Sequence, residues 1–482
     1  MVQDKGARSI KTALSWSFFQ NVASKALSLV VKLYLARLVL PDAFGLIGMA
    51  IVFISFMNIM AEMGMAAALI QRKEKDLKPS HWNTAFTLSL LVATVGWLLC
   101  VLLSSTIASF YNEELLRLLL PALGFSLIID SLAVTQTARL KKDMRFKEMG
   151  LVTTVAVLVS SAVAMVMAYQ GMGVWALVVK SLLSSGMRCV LLWCVSPWKP
   201  ALSLQKSAFL DLFSFSGYVA LERVLFFLTN NLDFLLIGKL LGSSVLGAYT
   251  LAFTLTDVIR QQIMNTFNNV LFPVYAKHRD DPARMRNYYL KVVRVSTLLV
   301  TPVMLLFALN AGPLIREGFG THWQTAIDPL RILAVSAIIH SIGGTSATLI
   351  RGAGHARLVL CINLGITVLV TLPAIVIGCL GWGFIGAAWA IVTRRVIERV
   401  VFHVFVRRLF AIQLRDVLQA IRPGFVVAAF MCATHALLQG ELESNPFLLV
   451  IRLLLEVLAC GLAAFVFLPS AAWPGRSAMA SR

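Results

Sequence analysis

From Ala13 onward the chain is a succession of apolar runs, each long enough to cross a bilayer and separated from the next by a short polar stretch. About 20 mostly apolar residues suffice for one helical crossing at about 1.5 Å rise each, and hydropathy over a helix-length window gives about fourteen such spans. A backbone in hydrocarbon has to satisfy its own donors and acceptors, so continuous runs of this length read as helices. The expected fold class is an all-α polytopic membrane protein. With 59% hydrophobic and 14% charged residues in 482, no part stays polar long enough to form a separate soluble domain. Any chemistry has to sit in helices or short loops.

The loops alternate in charge. One set holds Arg72, Lys73, Lys75 and Lys78, then Arg139, Lys141, Lys142, Arg145 and Lys147, then Lys199 and Lys206, then Lys277, Arg279, Arg284 and Arg286, then Arg351 and Arg357, then Arg407, Arg408 and Arg415. The other set is short and holds Asp42, Glu113 with Glu114, Glu317 beside Arg316, and Glu441 with Glu443. By the positive-inside rule the first set and both termini belong in the cytoplasm. The net charge of +20 would point to nucleic acid in a soluble chain; here the basic loops account for it, and no nucleic-acid partner is expected. The apolar segment behind the basic stretch Met1 to Lys11 runs past signal-peptide length without a clear cleavage site, and reads as a retained first span. The seven cysteines and the histidines His81, His340, His403 and His435 show no metal-ligand spacing, so no metal is expected.

A weak internal repeat organises the spans. Ala36-Arg37-Leu38-Val39-Leu40-Pro41-Asp42-Ala43-Phe44-Gly45 aligns with Gly238-Lys239-Leu240-Leu241-Gly242-Ser243-Ser244-Val245-Leu246-Gly247 at one constant offset: a small residue, a cation, hydrophobic positions and a final glycine. Gly171-Met172-Gly173 before the sixth span has its counterpart in Gly381-Trp382-Gly383 before the twelfth. Six spans return the chain to the same side, so the repeat is parallel, with two six-helix lobes related by an axis along the membrane normal, as in transporters. The expected domains are an N-lobe, 1–206, a C-lobe, 207–410, and two extra helices with a short tail, 411–482.

Leu35-Ala36-Arg37 with Pro41-Asp42-Ala43-Phe44-Gly45, then Ala68-Leu69-Ile70-Gln71-Arg72 ending the second span and Leu271-Phe272-Pro273 ending the eighth, resemble the polysaccharide transport family of the MOP exporter superfamily. The match is to its Wzx-type, colanic-acid-exporter-like branch, and it extends over essentially the whole chain. The resemblance implies a MATE-like fold and a multi-pass flippase of the bacterial inner membrane. It would move an undecaprenyl-pyrophosphate-linked oligosaccharide for exopolysaccharide or lipopolysaccharide O-antigen synthesis, among membrane lipids and beside a polysaccharide polymerase and chain-length regulator.

Several polar residues stand inside the spans. Lys25 and Lys32 are seven apart and share one helical face; fixed cations at depth can replace part of the hydration of a pyrophosphate, or they can pair with carboxylates such as Glu62. Glu222 and Asp233 are three turns apart in the seventh span, and an intramembrane carboxylate can take up H+ or Na+ and couple transport to its gradient; an ion pair with Lys25 or Arg223 is the competing use. Asp257, Gln261, Asn265 and Asn268 recur at helical spacing along the eighth span with Arg260 beside them. That stripe suits either sugar hydroxyls or polar packing between helices. Glu62, Glu222, Asp233 and Asp257 are thus the ion-coupling candidates, and Lys25, Lys32, Arg260, Gln261 and Asn265 the candidates for substrate contact. Arg394, Arg395, Glu398 and Arg399 cluster in the twelfth span, with Arg394 and Glu398 at the spacing of an intrahelical pair.

No phosphate-binding glycine loop of Walker type is present and no catalytic constellation appears, so a transporter without a cofactor is expected rather than an enzyme. The rival readings are an ion-coupled multidrug exporter of MATE type, disfavoured by the cations of the first span, and a membrane oligosaccharide polymerase, disfavoured by the repeat.

Overall fold

The computed structural model describes residues 27–62, 65–72, 77–196, 198–279, 281–438, 452–453 and 455–458, and every regular element among them is a helix. Among the described residues ten helical stretches are long and apolar enough to cross a membrane, so the protein is a multi-pass membrane protein. Two of the ten, Phe227–Lys277 with 51 residues and Ala356–Phe410 with 55, are about twice as long as one crossing requires. Each breaks where the backbone leaves helical geometry, at Gly242 (φ 84°) and at Trp382 with Gly383 (φ 57°). Positive φ is readily adopted only without a Cβ, so these glycines turn each stretch into two crossings.

The first helix, α1, covers 27–38. It is followed by α2 (Pro41–Glu62), α3 (Met65–Gln71), α4 (Pro79–Tyr111), α5 (Leu116–Lys142), α6 (Phe146–Tyr169), α7 (Val174–Val195) and α8 (Lys206–Phe253). A π-helical turn, Thr254–Val258, leads into α9 (Ile259–Lys277), and α10 (Pro282–Leu309), α11 (Ala311–Phe319), α12 (Ile327–Ser341), α13 (Ser346–Gly352) and α14 (Ala356–Ile366) follow. A second π-helical turn, Thr367–Thr371, precedes α15 (Leu372–Phe410), and α16 (Leu414–Leu438) comes next. Residues 452–453 and 455–458 are the described part of the expected fourteenth span. Most of that span and the first half of the first, with Lys25, lie outside the described residues.

Local chemistry sets these boundaries. Pro79 opens α4 in the first turn, where a missing N–H costs nothing. Asn112 closes it in left-handed geometry, φ 59°. The Asp281 carboxylate caps α10 by accepting from the Arg284 backbone N–H at 3.0 Å. Some hydroxyls inside the spans donate to their own helix, Thr94 to the Leu90 carbonyl at 2.8 Å and Thr137 to that of Ala133 at 2.7 Å, which satisfies them within hydrocarbon. Small residues set the approach of neighbouring helices, as where Gly124 of α5 lies against Cys100 and Trp97 of α4.

The chain divides into two compact units, residues 1–247 and 248–482. The packing division falls after the seventh span because the end of that span is held by the first unit: the Lys239 ammonium donates to the Phe110 carbonyl, and Gly238 faces Tyr111 and Met49. The basic loops of the first unit also do structural work. Lys142 Nζ donates to the carbonyls of Leu69 (3.0 Å) and Arg72 (2.5 Å), closing the end of α3. Arg139 lies over the rings of Trp82 and Trp198 at 5.6 and 5.8 Å. In the second unit α10 packs along α16 and α12, around a core that includes Tyr275, Met285, Tyr289, Val293, Phe402 and Val406.

Candidate functional site

In the first unit Lys32 is half-buried on α1 and within electrostatic reach of Lys180 on α7. Their positive charges add to the local potential in this part of the unit. Glu62 stands half-buried at the end of α2, and Asp233 is buried in α8 at 4% exposure. Glu222 lies on the described course of α8, but its side chain is outside the described residues. A further intramembrane pair joins α7 to α5, Arg188 Nη2 to Asp130 Oδ1 at 3.1 Å. Between α1 and α6 runs an apolar groove of about 600 Å³, lined by Val30, Tyr34, Leu38, Val166, Tyr169 and Gln170 among others.

The second unit holds a continuous charged network. The π-helical turn widens the helix at Asp257, and Arg260, three residues on, places Nε 2.5 Å from Asp257 Oδ1. Arg395 reaches across from α15, its Nη2 3.3 Å from Asp257 Oδ2. Arg395 Nη1 contacts His340 Nδ1 of α12 at 3.1 Å and Glu398 Oε2 at 3.3 Å. Arg399 Nη2 donates to Glu398 Oε1 at 2.8 Å. Glu398 thus takes hydrogen bonds from Arg395 and Arg399. Asp257, Arg260, Arg394 and Arg395 are all buried. Three guanidiniums, those of Arg260, Arg395 and Arg399, share the two carboxylates of Asp257 and Glu398, which leaves the network cationic. Arg399 keeps Nε and Nη1 without a hydrogen-bond partner among the described residues.

The expected polar stripe of the eighth span divides in use. Asp257 and Arg260 are engaged with each other and with Arg395. Asn268 Oδ1 accepts from Thr348 Oγ1 at 2.9 Å. Gln261 and Asn265, four residues apart on α9, are both exposed and present one accessible amide face. Among the described residues no three His, Cys, Asp or Glu side chains form a metal site.

One cluster is new relative to the sequence reading. Arg452 Nε lies 3.2 Å from Glu456 Oε1, His435 Nδ1 lies 2.9 Å from the same oxygen, and Asn310 Nδ2 donates to Glu456 Oε2 at 2.9 Å. Arg452 is 1% and Glu456 0% exposed. The signal was present as an Arg and a Glu four apart within an otherwise apolar run.

Residues 34–328 match the family described as polysaccharide biosynthesis protein. The lipopolysaccharide biosynthesis protein WzxC of Escherichia coli (strain K12) is 26% identical over 393 residues, covering 80% of this chain and 79% of that protein. The succinoglycan biosynthesis transport protein ExoT of Rhizobium meliloti (strain 1021) is 24% identical over 357 residues, covering 74% and 72%. Among solved structures, the inward-facing conformation of a multidrug resistance MATE family transporter of the MOP superfamily superposes with a TM-score of 0.66 at 14% identity, over 80% of this chain and 94% of that one. A transporter fold and a family match over more than half of the sequence place the chain in the polysaccharide biosynthesis protein family.

Proposed function

We infer that the protein is a flippase that moves an undecaprenyl-pyrophosphate-linked oligosaccharide repeat unit across the bacterial inner membrane by alternating access. The observation that carries this reading is the family match joined to the transporter fold. Together they describe a membrane transporter rather than an enzyme. The relatives named for lipopolysaccharide and succinoglycan biosynthesis support a saccharide cargo, for exopolysaccharide or O-antigen assembly.

The charges suit such a cargo. Carrying a pyrophosphate through a low-dielectric region is dominated by its desolvation, and fixed cations lower that cost. Lys32 with Lys180, and the cationic network around Arg395 and Arg399, supply cations in both units. The exposed amides of Gln261 and Asn265 both donate and accept, as sugar hydroxyls require. The groove on α1 and α6 has the volume of an ordinary ligand site and the apolar lining that a stretch of isoprenoid chain would take. Asp233, Glu62 and Glu222 remain the carboxylates for coupling to a H+ or Na+ gradient; Asp257 is already held by two guanidiniums. Both termini and the basic loops would face the cytoplasm, and the delivered unit would pass to a polymerase and its chain-length regulator.

The test is the sidedness of the lipid-linked oligosaccharide in cells depleted of the protein. Accumulation in the cytoplasmic leaflet is expected. Accumulation in the outer leaflet would place the protein after translocation, and no accumulation would remove the glycan as cargo.

A further inference from the structure

The two copies of the repeated motif meet each other within the first unit. A Cβ added to Gly45, the last residue of the first copy, would overlap the backbone carbonyl of Ser243 in the second. A Cβ added to Gly247, the last residue of the second copy, would overlap the backbone carbonyl of Pro41 in the first. In the alignment Ser243 is the counterpart of Pro41, and Gly247 that of Gly45. Each contact is therefore the other with the two copies exchanged. This is the reciprocity of an isologous interface, where residue i meets j and j meets i, and two unrelated close approaches would not obey it.

The two turns are firmly seated. Phe44 and Leu246, which precede the two glycines, are 5% and 0% exposed. Lys239, the counterpart of Arg37, stands 4.8 Å over the Phe110 ring while donating to the Phe110 carbonyl. Both turns lie at the helix ends away from the basic loops, since α2 begins at Pro41 and runs towards Arg72. At both crossings backbone lies directly against backbone. A contact of that kind is held by many small dispersion terms. At the same time, a single methyl group on either glycine keeps the turns apart.

We propose that Gly45 and Gly247 are paired positioning residues of a seal on the face away from the basic loops, and that the two turns separate and close again once in each transport cycle. The flippase reading supplies the cargo for this cycle; the seal itself follows from the contact.

The experiment uses a full-length chain whose own cysteines are replaced by alanine and which carries Ala43→Cys as a reporter, Ala43 being 8% exposed. In right-side-out vesicles a membrane-impermeant maleimide should label the parent slowly. Gly45→Ala and Gly247→Ala should each speed labelling roughly tenfold, by making a minor open state the main one. The double variant should label about as fast as either single one, because holding one contact open also opens its mate. Unchanged labelling in variants inserted at parental amounts overturns the proposal, and so do fully additive effects.

Should either variant fail to accumulate, Ala43→Cys with Val245→Cys, at the centre of the crossing, gives a second test. A bond between the two thiols should reduce transport to background, and reduction should restore it; undiminished transport in the cross-linked protein overturns the seal. Labelling needs no glycan, so its failure leaves the cargo reading standing, and a failed sidedness assay leaves the seal standing.

Discussion

Asp257, an ion-coupling candidate in the sequence and part of the polar stripe of the eighth span, is held in a network of ion pairs. Its two oxygens are engaged by Arg260 at 2.5 Å and Arg395 at 3.3 Å, and all three side chains are buried. Removing one partner of a buried ion pair leaves an uncompensated charge, at a cost of about 3 to 5 kcal/mol. Asp257→Asn should therefore lower the thermal unfolding midpoint of the purified protein markedly. Asp257→Asn with Arg260→Gln should recover part of the loss, because the stranded cation is removed as well. A single variant as stable as the parent would show that the pairs contribute nothing to the fold. Asp257 and Arg260 were legible as neighbours in the eighth span from their spacing alone. Arg395 was not, because it lies 138 residues further on and only the packing of α15 brings it there.

At the scale of elements, the apolar runs read directly as helices, and the glycine clusters marked their breaks. Within the second copy of the repeat the helix breaks at Gly242, and within the glycine cluster Gly381 to Gly383 it breaks at Trp382 and Gly383. The π-helical turns at Thr254–Val258 and Thr367–Thr371 were not legible, since an inserted residue leaves the hydropathy pattern nearly unchanged. The cluster of Arg452, Glu456, His435 and Asn310 shows what holds the helices outside the repeat. Glu456 accepts from Asn310 at the end of α10 while meeting His435 of α16, so one carboxylate ties three elements together. Glu456→Gln should loosen this attachment and lower the unfolding midpoint. Replacing Arg452 and Glu456 together by Met and Leu should restore most of it, because an apolar pair of similar volume avoids the desolvation cost. Equal losses in the single and double variants would mean that shape, and not charge, holds the helix there.

For the molecule as a whole, the repeat motif indicated two related halves, and its two copies prove to be in reciprocal contact through Gly45 and Gly247. What the repeat could not convey is how differently the copies are used. The first unit places Lys32 in electrostatic reach of Lys180, and the second binds Arg260, Arg395 and Arg399 to Asp257 and Glu398. Coupling to an ion gradient is a property of the whole cycle, because a bound ion does work only if it binds one conformation better than another. Asp233 is a candidate on two grounds: it is buried at 4% exposure, and it lies in the same helix as Gly242 and the turn that Gly45 meets. Protonation or Na+ binding there would remove a buried negative charge near the element that has to move. Asp233→Asn should therefore make transport much less sensitive to collapse of the H+ or Na+ gradient, with lower transport at full gradient than in the parent. Transport by the variant that still falls in parallel with the parent as the gradient is dissipated would assign Asp233 to structure and move the coupling step to Glu62 or Glu222.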